Sequence, residues 1–432
     1  MKFMGSIADT LVEAGHEVVT LQPLIIPHAN CTSRSRLIQV ETDKKMVAEM
    51  MAAREKKESP AWTVGSENPL SVVGFLPHLK RIVYTSVSDI KIFIVVLKDR
   101  KLLKELRAEK FDLGIGELFD FIGITVFEAI GLKNIVGAHS GCLMEGTAYA
   151  IGAPVIPSFM PASQGVTDDS TSLSTRAKNM LFTFVSWYFQ AGLASSAEKA
   201  MMEKLGTSAP PIWVADVVSN ITWILTNTEP FMEFAKPTLH TVVDIGGIAV
   251  RKPKPLDEKW NKVLSLRPRT VLISFGSVLL SYLMPNSMKM AIVEVVKSYP
   301  DITFIWKYER PENATFADGV ENLVLSKWTP QTDLLGKQFI CTLKLLIEFA
   351  ISWRNDHSTP EQKLVKTVEL AAEFGQIPEL RVAGRDMNFI VCHNLDLLAL
   401  FFIVCSLFTF AILYCLKKLF GIAIRRPKAK ED

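Results

Sequence analysis

The sequence predicts an α/β protein of two doubly wound halves with a cleft between them, followed by one transmembrane helix. Two stretches predict the halves, because short apolar strands alternate with helices at 111–137 and again at 270–326. A third observation predicts the helix. Residues 397–416 carry no charge, and as a helix they would be about 30 Å long, the thickness of a bilayer's hydrocarbon core.

Composition limits the classes of function. Among the 432 residues, 48 Lys and Arg against 45 Asp and Glu leave a net charge of +3, which gives no basic excess for nucleic-acid binding. A hydrophobic content of 49% excludes disorder as the dominant state. The 6 cysteines are widely spaced and form no C-x-x-C pair, so no zinc or other metal site is expected.

In the first half, apolar spacing predicts a helix at 6–14, with Gly15 as its stop, and then a strand at 17–21. Because a parallel strand normally precedes such a helix, a first strand is expected to be missing from this half. Residues 30–110 are expected to be mostly helical. The remaining predicted elements of this half are strands at 111–115, 134–137 and 223–226 and helices at 121–130 and 176–206.

The second half repeats the pattern. A buried-type strand at 270–274 runs into a turn at Phe275, Gly276 and Ser277. The elements predicted after the turn are helices at 287–298 and 359–374 and strands at 302–308 and 322–326. We therefore expect four segments: a first domain at 1–237, a second at 238–395, the transmembrane helix at 396–416 and a basic tail at 417–432.

The apolar segment at 397–416 lies between Asp396 and the lysine pair at 417–418, which favours a membrane span over a buried core helix. The positive-inside rule predicts a cytosolic tail. Lys428 and Lys430 resemble an endoplasmic-reticulum retrieval signal, and an ordinary basic flank is equally consistent with them. Residues 1–23 contain no apolar segment typical of a signal peptide, which by itself would leave the body of the chain in the cytosol.

Ordered motifs across most of the chain carry a family resemblance. They are 3–21, 111–131, 224–247, 271–278, 304–309 and 327–335. With them the chain resembles the UDP-glucuronosyltransferases, within the wider group of UDP-sugar-dependent transferases. The resemblance implies two Rossmann-like domains of the GT-B type and inverting transfer of a hexose or glucuronic acid from a UDP-sugar to a hydroxyl of a small lipophilic acceptor. It also implies detoxification in the endoplasmic reticulum, with a lumenal body and no metal or other cofactor.

The same resemblance points to donor-binding residues. Gly276 would allow close backbone approach to a diphosphate, and Ser277 would offer a hydroxyl there, although it could also be only a helix N-cap. Trp328 would stack on uracil and Gln331 would bind the ribose or base, the alternatives being a core indole and a surface amide. Asp333 is expected to cap a helix.

For catalysis, the resemblance implies a histidine general base that a carboxylate orients. Glu117 is expected to be that carboxylate, and a solvated loop position is the alternative. The family's histidine lies just ahead of the first matching segment, so it is expected to be absent here. His139 is not expected to replace it, and neither is His16, which should contact the carbonyls that end the first helix.

After Gly336 the family's H-G-G turn and D-Q pair do not follow, which suggests an internal deletion. Loss of the base alone predicts turnover lower by at least about 10²-fold. One alternative function is therefore an inactive, truncated isoform that binds or regulates full-length transferases as a homo- or hetero-oligomer. A second alternative is a gene-model error whose product misfolds. A dinucleotide oxidoreductase is excluded, because Gly114 and Gly116 lack the third glycine of that motif.

Overall fold

The computed structural model describes residues 2–24, 31–42, 96–163, 172–206, 217–230, 233–276, 280–336, 358–382 and 389–424, with a few single positions between them. Met1–Leu380 forms one compact unit and Arg381–Asp432 a second. The strands are β1 Val19–Pro23, β2 Arg36–Val40, β3 Gly114–Glu117, β4 Ile135–His139, β5 Ile224–Thr226, β6 Val242–Asp244, β7 Arg269–Ile273, β8 Ile302–Lys307 and β9 Leu323–Ser326. The helices are α1 Lys2–Glu13, α2 Arg100–Ala108, α3 Ile122–Ile130, α4 Glu145–Ala150, α5 Leu173–Leu205, α6 Glu258–Leu264, α7 Asn286–Ser298, α8 Gln331–Leu335, α9 Pro360–Phe374, α10 Phe389–Cys392 and α11 Leu395–Ile424.

All strand pairs in the described residues are parallel, which confirms the predicted α/β class. The strand orders are β1-β2, β3-β4-β5-β6 and β7-β8-β9. We call the four-stranded sheet the first sheet and the three-stranded sheet the second sheet. Because the strands in each are parallel, their carboxyl ends meet at one edge, where α/β proteins place their ligands.

Helix α1 begins earlier than the apolar spacing predicted, and it buries Phe3, Ile7 and Leu11 along one face. These side chains pack with α9 against β4 and β5 of the first sheet. Gly15 ends the helix with a φ of 97°, where a side chain would be strained, so the predicted stop is confirmed. The contact with α9 joins two segments that are far apart in the chain.

The other face of the first sheet is covered by α3, α4 and α5. Helix α3 approaches β3 closely because Gly114 has no side chain, and a Cβ there would lie 2.8 Å from Cζ of Phe127. This packing fixes the carboxyl end of β3, where Glu117 is the last residue of the strand. The alternative of a loop position for Glu117 is therefore wrong, because the residue belongs to β3.

Two further differences concern strands. β2 is a strand in a stretch expected to be mostly helical, and it pairs with β1 from Val19 opposite Arg36 onward. β6 was not predicted, and it pairs with β5; the two strands are equally short, but β5 is fully buried whereas β6 is only half-buried. β6 lies beyond residue 237 and still belongs to the first sheet, so this sheet extends past the expected boundary between the two domains. The division into domains stays a prediction.

The second sheet forms largely as predicted. Trp306 and Ile305 of β8 are fully buried on opposite faces, in separate apolar clusters. In the second unit, Leu395–Lys418 of α11 is apolar and long enough to cross a membrane, and none of it is buried against other described residues. This confirms the predicted apolar helix.

Candidate functional site

A cavity of about 210 Å³ lies at the carboxyl edge of the second sheet. Each strand of that sheet leads into it: Ser274 and Gly276 follow β7, Lys307 ends β8, and residues 328–332 follow β9. Arg251, from the segment after β6, and Lys2 of α1 complete the lining. Parallel strand topology therefore creates the concavity from segments that are distant in sequence.

The turn after β7 forms one wall. Gly276 has a φ of 80°, a conformation that residues with a side chain rarely adopt. Its carbonyl oxygen accepts a hydrogen bond of 2.8 Å from Nζ of Lys307. Its N–H donates to Oγ of Ser274 over 3.4 Å. The backbone at Gly276 is thus held on both sides while it faces the cavity.

The segment after β9 contributes the indole of Trp328, which is 62% exposed. Its backbone is anchored, because Oγ of Ser326 donates to the carbonyl of Trp328 over 2.7 Å. Nζ of Lys2 lies 6.0 Å from the centre of the ring. Gln331 opens α8, with its Oε1 3.4 Å from Oγ of Ser274. An anchored, exposed indole beside an amide suits the recognition of a planar base.

Asp333 does not cap α8, because Pro330 occupies the N-cap position and Asp333 is the third residue of the helix. Its carboxylate instead accepts two hydrogen bonds from the guanidinium of Arg251 and one of 2.7 Å from the backbone N–H of Lys254. These donors, led by Arg251, lower the pKa of Asp333 to about 2. The carboxylate of Asp333 therefore connects helix α8 to the segment that carries Arg251 and Lys254.

The charged residues that line the cavity are all basic. Lys2, Arg251 and Lys307 are basic, and none of the ten lining residues is acidic. The acidic partners of Arg251 and Lys307, Asp333 and Glu309, lie behind the lining. Such a cavity favours an anionic ligand.

Glu117 lies at the carboxyl edge of the first sheet and is not among the residues that line the cavity. The backbone N–H of Ser140 lies 3.2 Å from each carboxylate oxygen, and the N–H of Phe119 donates to Oε1 over 3.3 Å. Burial raises the pKa of Glu117 above its usual value of 4.5, although these hydrogen bonds oppose the shift. A carboxyl group with a raised pKa, at the edge of a parallel sheet, is a candidate for proton transfer.

Neither of the two histidines considered in the sequence has the surroundings of a general base. Burial lowers the pKa of His139 to about 4, and its Nε2 lies 3.0 Å from Oγ1 of Thr147. The ring of His16 lies 3.3 Å from Oε1 of Glu369 on α9. The expected contact with the carbonyls that end the first helix is made by the backbone of His16, whose N–H donates to the carbonyl of Leu11 over 3.1 Å. Within the described ranges, no group of three His, Cys, Asp or Glu side chains is placed to bind a metal.

Three of the four predicted donor-binding residues, Gly276, Trp328 and Gln331, meet in the cavity. The fourth, Ser277, lies outside the described residues. Sequence reasoning missed Lys307 and Arg251. Lys307 stands in the segment 304–309, and its place at the end of a buried strand beside the turn was the available signal.

Comparison with known proteins identifies a family. The family model described as "UDP-glucoronosyl and UDP-glucosyl transferase" matches residues 2–341. UDP-glucuronosyltransferase 1A10 of Homo sapiens is 26% identical over 344 residues, covering 77% of this chain and 60% of that protein. UDP-glucuronosyltransferase 1A7 of Mus musculus is 29% identical over 245 residues, covering 56% of this chain and 44% of that protein. The chain spans less than two thirds of the length of the curated relatives it matches.

Solved structures give a weaker likeness. Os79 from O. sativa in complex with UDP aligns with a TM-score of 0.45 and 13% identity, covering 85% of this chain and 81% of that chain. The glycotransferase of kitacinnamycin aligns with a TM-score of 0.42 and 13% identity, covering 87% of both chains.

Proposed function

This chain belongs to the UDP-glucuronosyl and UDP-glucosyl transferase family, and we propose that it binds a UDP-sugar in the cavity at the carboxyl edge of the second sheet. We further propose that it transfers the hexose or glucuronic acid, with inversion, to a hydroxyl of a small lipophilic acceptor. The observation that carries the proposal is the meeting of Gly276, Trp328 and Gln331 in one cavity with three basic side chains and no acidic one.

The cavity lining suits both parts of a nucleoside diphosphate. Trp328 offers an exposed aromatic face for uracil, and the amide of Gln331 lines the same cavity for the base or the ribose. For the diphosphate, the backbone of Gly276 leaves room for close approach, and a Cβ there would meet no atom within 4 Å. The basic lining favours the negative charge of the diphosphate.

For the chemical step, the acceptor oxygen attacks the anomeric carbon, the bond from that carbon to UDP breaks, and the acceptor proton is released to water, since neither His16 nor His139 has the surroundings of a general base. Glu117 is proposed as the carboxylate partner in this proton transfer. Its raised pKa and its place at a sheet edge support a role in proton handling. No metal or other cofactor is proposed for the reaction.

The apolar part of α11 is proposed as a membrane anchor, since Leu395–Lys418 has the length and composition of a span. We propose an endoplasmic-reticulum location with the body in the lumen and the basic tail in the cytosol, consistent with the lysines at 417–418. Conversion of lipophilic compounds to soluble glycosides, a detoxification role, fits such a location. Association with itself or with related transferases is part of the proposal.

The experiment is product detection. The full chain, purified in detergent, is incubated with UDP-glucuronic acid or UDP-glucose and a panel of phenols and lipophilic alcohols, and glycosides are sought by mass spectrometry. We expect a glycoside of inverted anomeric configuration that the Glu117→Gln variant does not form. Binding of UDP with no glycoside from any donor would contradict the transfer step and leave donor binding alone.

A further inference from the structure

We propose that the amino-terminal half of helix α5 docks on the surface of a lipid bilayer through an apolar stripe on its outer face. The apolar stripe consists of seven exposed residues of this helix: Leu173, Ala177, Met180, Leu181, Phe184, Trp187 and Tyr188. This docking goes beyond the proposed glycosyl transfer. It rests on the proposed function only through the membrane anchor, which holds the body of the chain beside a bilayer.

Helical spacing places the seven residues of the apolar stripe on one side of α5. Successive residues of an α-helix turn by about 100°, so the stripe occupies a sector of about 120° around the helix axis. Within residues 173–190 this sector contains no polar residue. An apolar sector of this width normally faces the core of a protein, whereas here it faces outward.

The opposite side of the same half is buried and partly polar. It carries Asn179, Val185, Ser186, Phe189 and Gln190. Oγ of Ser186 donates to the carboxylate of Glu145 on α4, and Nε2 of Gln190 donates to Oγ1 of Thr147 over 3.1 Å. Because these hydrogen bonds fix the rotation of α5 about its axis, the apolar stripe cannot turn toward the core.

The centre of the stripe is a pair of aromatic rings. Phe184 is 61% exposed, and its ring is stacked against that of Trp187, with the ring centres 6.2 Å apart and the planes inclined by 30°. Contiguous exposed apolar side chains of this kind mark a surface that binds a protein or a membrane.

Charge and aromatic side chains favour a membrane. Within residues 173–197 the only charged residues are Arg176, which is exposed, and Lys178, which is half-buried, and both are basic. Cations beside an apolar helix face complement the headgroups of anionic lipids. At the other end of the stripe, Trp187 and Tyr188 have an apolar ring with a polar tip, which suits the boundary between lipid and water.

Tryptophan fluorescence gives a readout that the membrane anchor does not disturb, because α11 contains no tryptophan. Among the described residues the exposed tryptophans are Trp187, in the apolar stripe, and Trp328, in the cavity of the second sheet. Bromine-labelled lipid quenches an indole that enters the bilayer. Trp187 should therefore be quenched, and Trp328 should not.

The experiment inserts the full chain into nanodiscs of phosphatidylcholine and phosphatidylserine and measures the tryptophan intensity lost when bromine-labelled phosphatidylcholine is included. We expect a loss that Trp187→Phe largely removes and that Trp328→Phe leaves unchanged. Phe184→Gln should remove most of the loss, because burial of a phenylalanine side chain favours docking about tenfold or more. Nanodiscs of phosphatidylcholine alone, or the double variant Arg176→Gln and Lys178→Gln, should reduce the loss.

Phe374→Gln is the matched control for Phe184→Gln. Phe374 ends α9 and is 59% exposed, and its replacement should leave the quenching unchanged. Thermal unfolding in detergent shows whether Phe184→Gln is folded, and Leu181→Gln replaces it if it is not.

Equal intensity losses for the wild type and Trp187→Phe would overturn the docking. In that case, a dimer in detergent that Phe184→Gln converts to a monomer would assign the apolar stripe to a second copy of the chain. A chain that does not insert into nanodiscs would overturn the anchor and the docking together. UDP binding in detergent does not involve the stripe, so its outcome tests the proposed donor site independently.

Discussion

Arg251 donates to both carboxylate oxygens of Asp333, with Nη1 2.6 Å from Oδ1 and Nη2 2.7 Å from Oδ2. The pair joins the segment after β6, the last strand of the first sheet, to helix α8, which carries Gln331. Bidentate pairs of this kind fix direction as well as distance. One wall of the cavity therefore depends on a contact between segments 82 residues apart.

Asp333→Asn should weaken UDP binding several-fold, because the neutral amide keeps only one acceptor oxygen, loses a charge-assisted hydrogen bond from Arg251 and frees α8. Calorimetric titration with UDP measures the effect. Asp301→Asn is the matched control, since Asp301 pairs with Arg269 at the amino ends of β7 and β8, away from the cavity. Equal UDP affinities for the two variants would show that the Arg251 pair does not order the site.

Trp328→Ala should weaken UDP binding about tenfold or more, because stacking on an aromatic ring contributes roughly 1–3 kcal/mol per base. The thermal unfolding midpoint should stay the same, since the indole is mostly exposed. Trp328→Phe keeps a flat face and should retain most of the affinity. Equal UDP affinities for the wild type and both variants would show that uracil does not stack on Trp328.

Glu117→Gln should stabilise the fold increasingly as pH rises above 4.5. Burial raises the pKa of Glu117 above 4.5, so the folded state binds more protons than the unfolded state above pH 4.5. The stability of the folded state therefore falls as the pH rises from 4.5 through the raised pKa. The amide keeps an acceptor for Ser140 without a charge to bury. Thermal midpoints from pH 4 to 8 measure this, with the exposed Glu105→Gln as control.

A midpoint difference between Glu117→Gln and the wild type that does not grow with pH would contradict the raised pKa. The same variant should bind UDP as the wild type does, because Glu117 does not line the cavity.

His139 should make the fold sensitive to mild acid. Burial lowers its pKa from 6.5 to about 4, so the unfolded state binds more protons than the folded state between these values. Stability is then lost as pH falls from 6.5 toward 4, by about 3 kcal/mol at most. Urea unfolding at several pH values should show a smaller loss for His139→Gln than for the wild type.

The exposed His240→Gln should follow the wild type in that titration. Parallel pH curves for His139→Gln and the wild type would mean that the imidazole is accessible to protons in the folded chain.

Much of the fold was predictable because its strands are continuous apolar runs. The runs at 134–137, 270–274 and 302–308 became β4, β7 and β8 nearly as expected. β6 was missed because it is only half-buried and ends in Asp244, whereas the equally short β5 is fully buried and was predicted. The end of β3 was also misjudged, since a polar Glu117 closing a strand looks like the start of a loop.

The site was predictable only in part. Gly276, Trp328 and Gln331 were found because each stands in a segment that carries the family resemblance. Asp333 was misassigned because its true partner, Arg251, is distant in sequence, and short-range capping rules cannot reveal such a pair. The expected reduction in turnover stays a prediction.

The most direct test of the account is calorimetric titration of the purified full chain with UDP and, in parallel, with ADP. Both ligands carry the same diphosphate, so the comparison separates uracil recognition from attraction by the basic lining. We predict that UDP binds and that ADP binds at least about tenfold more weakly, a difference of 1.4 kcal/mol. Equal affinities, or no heat from UDP, would contradict the assignment of the cavity as a uridine diphosphate site.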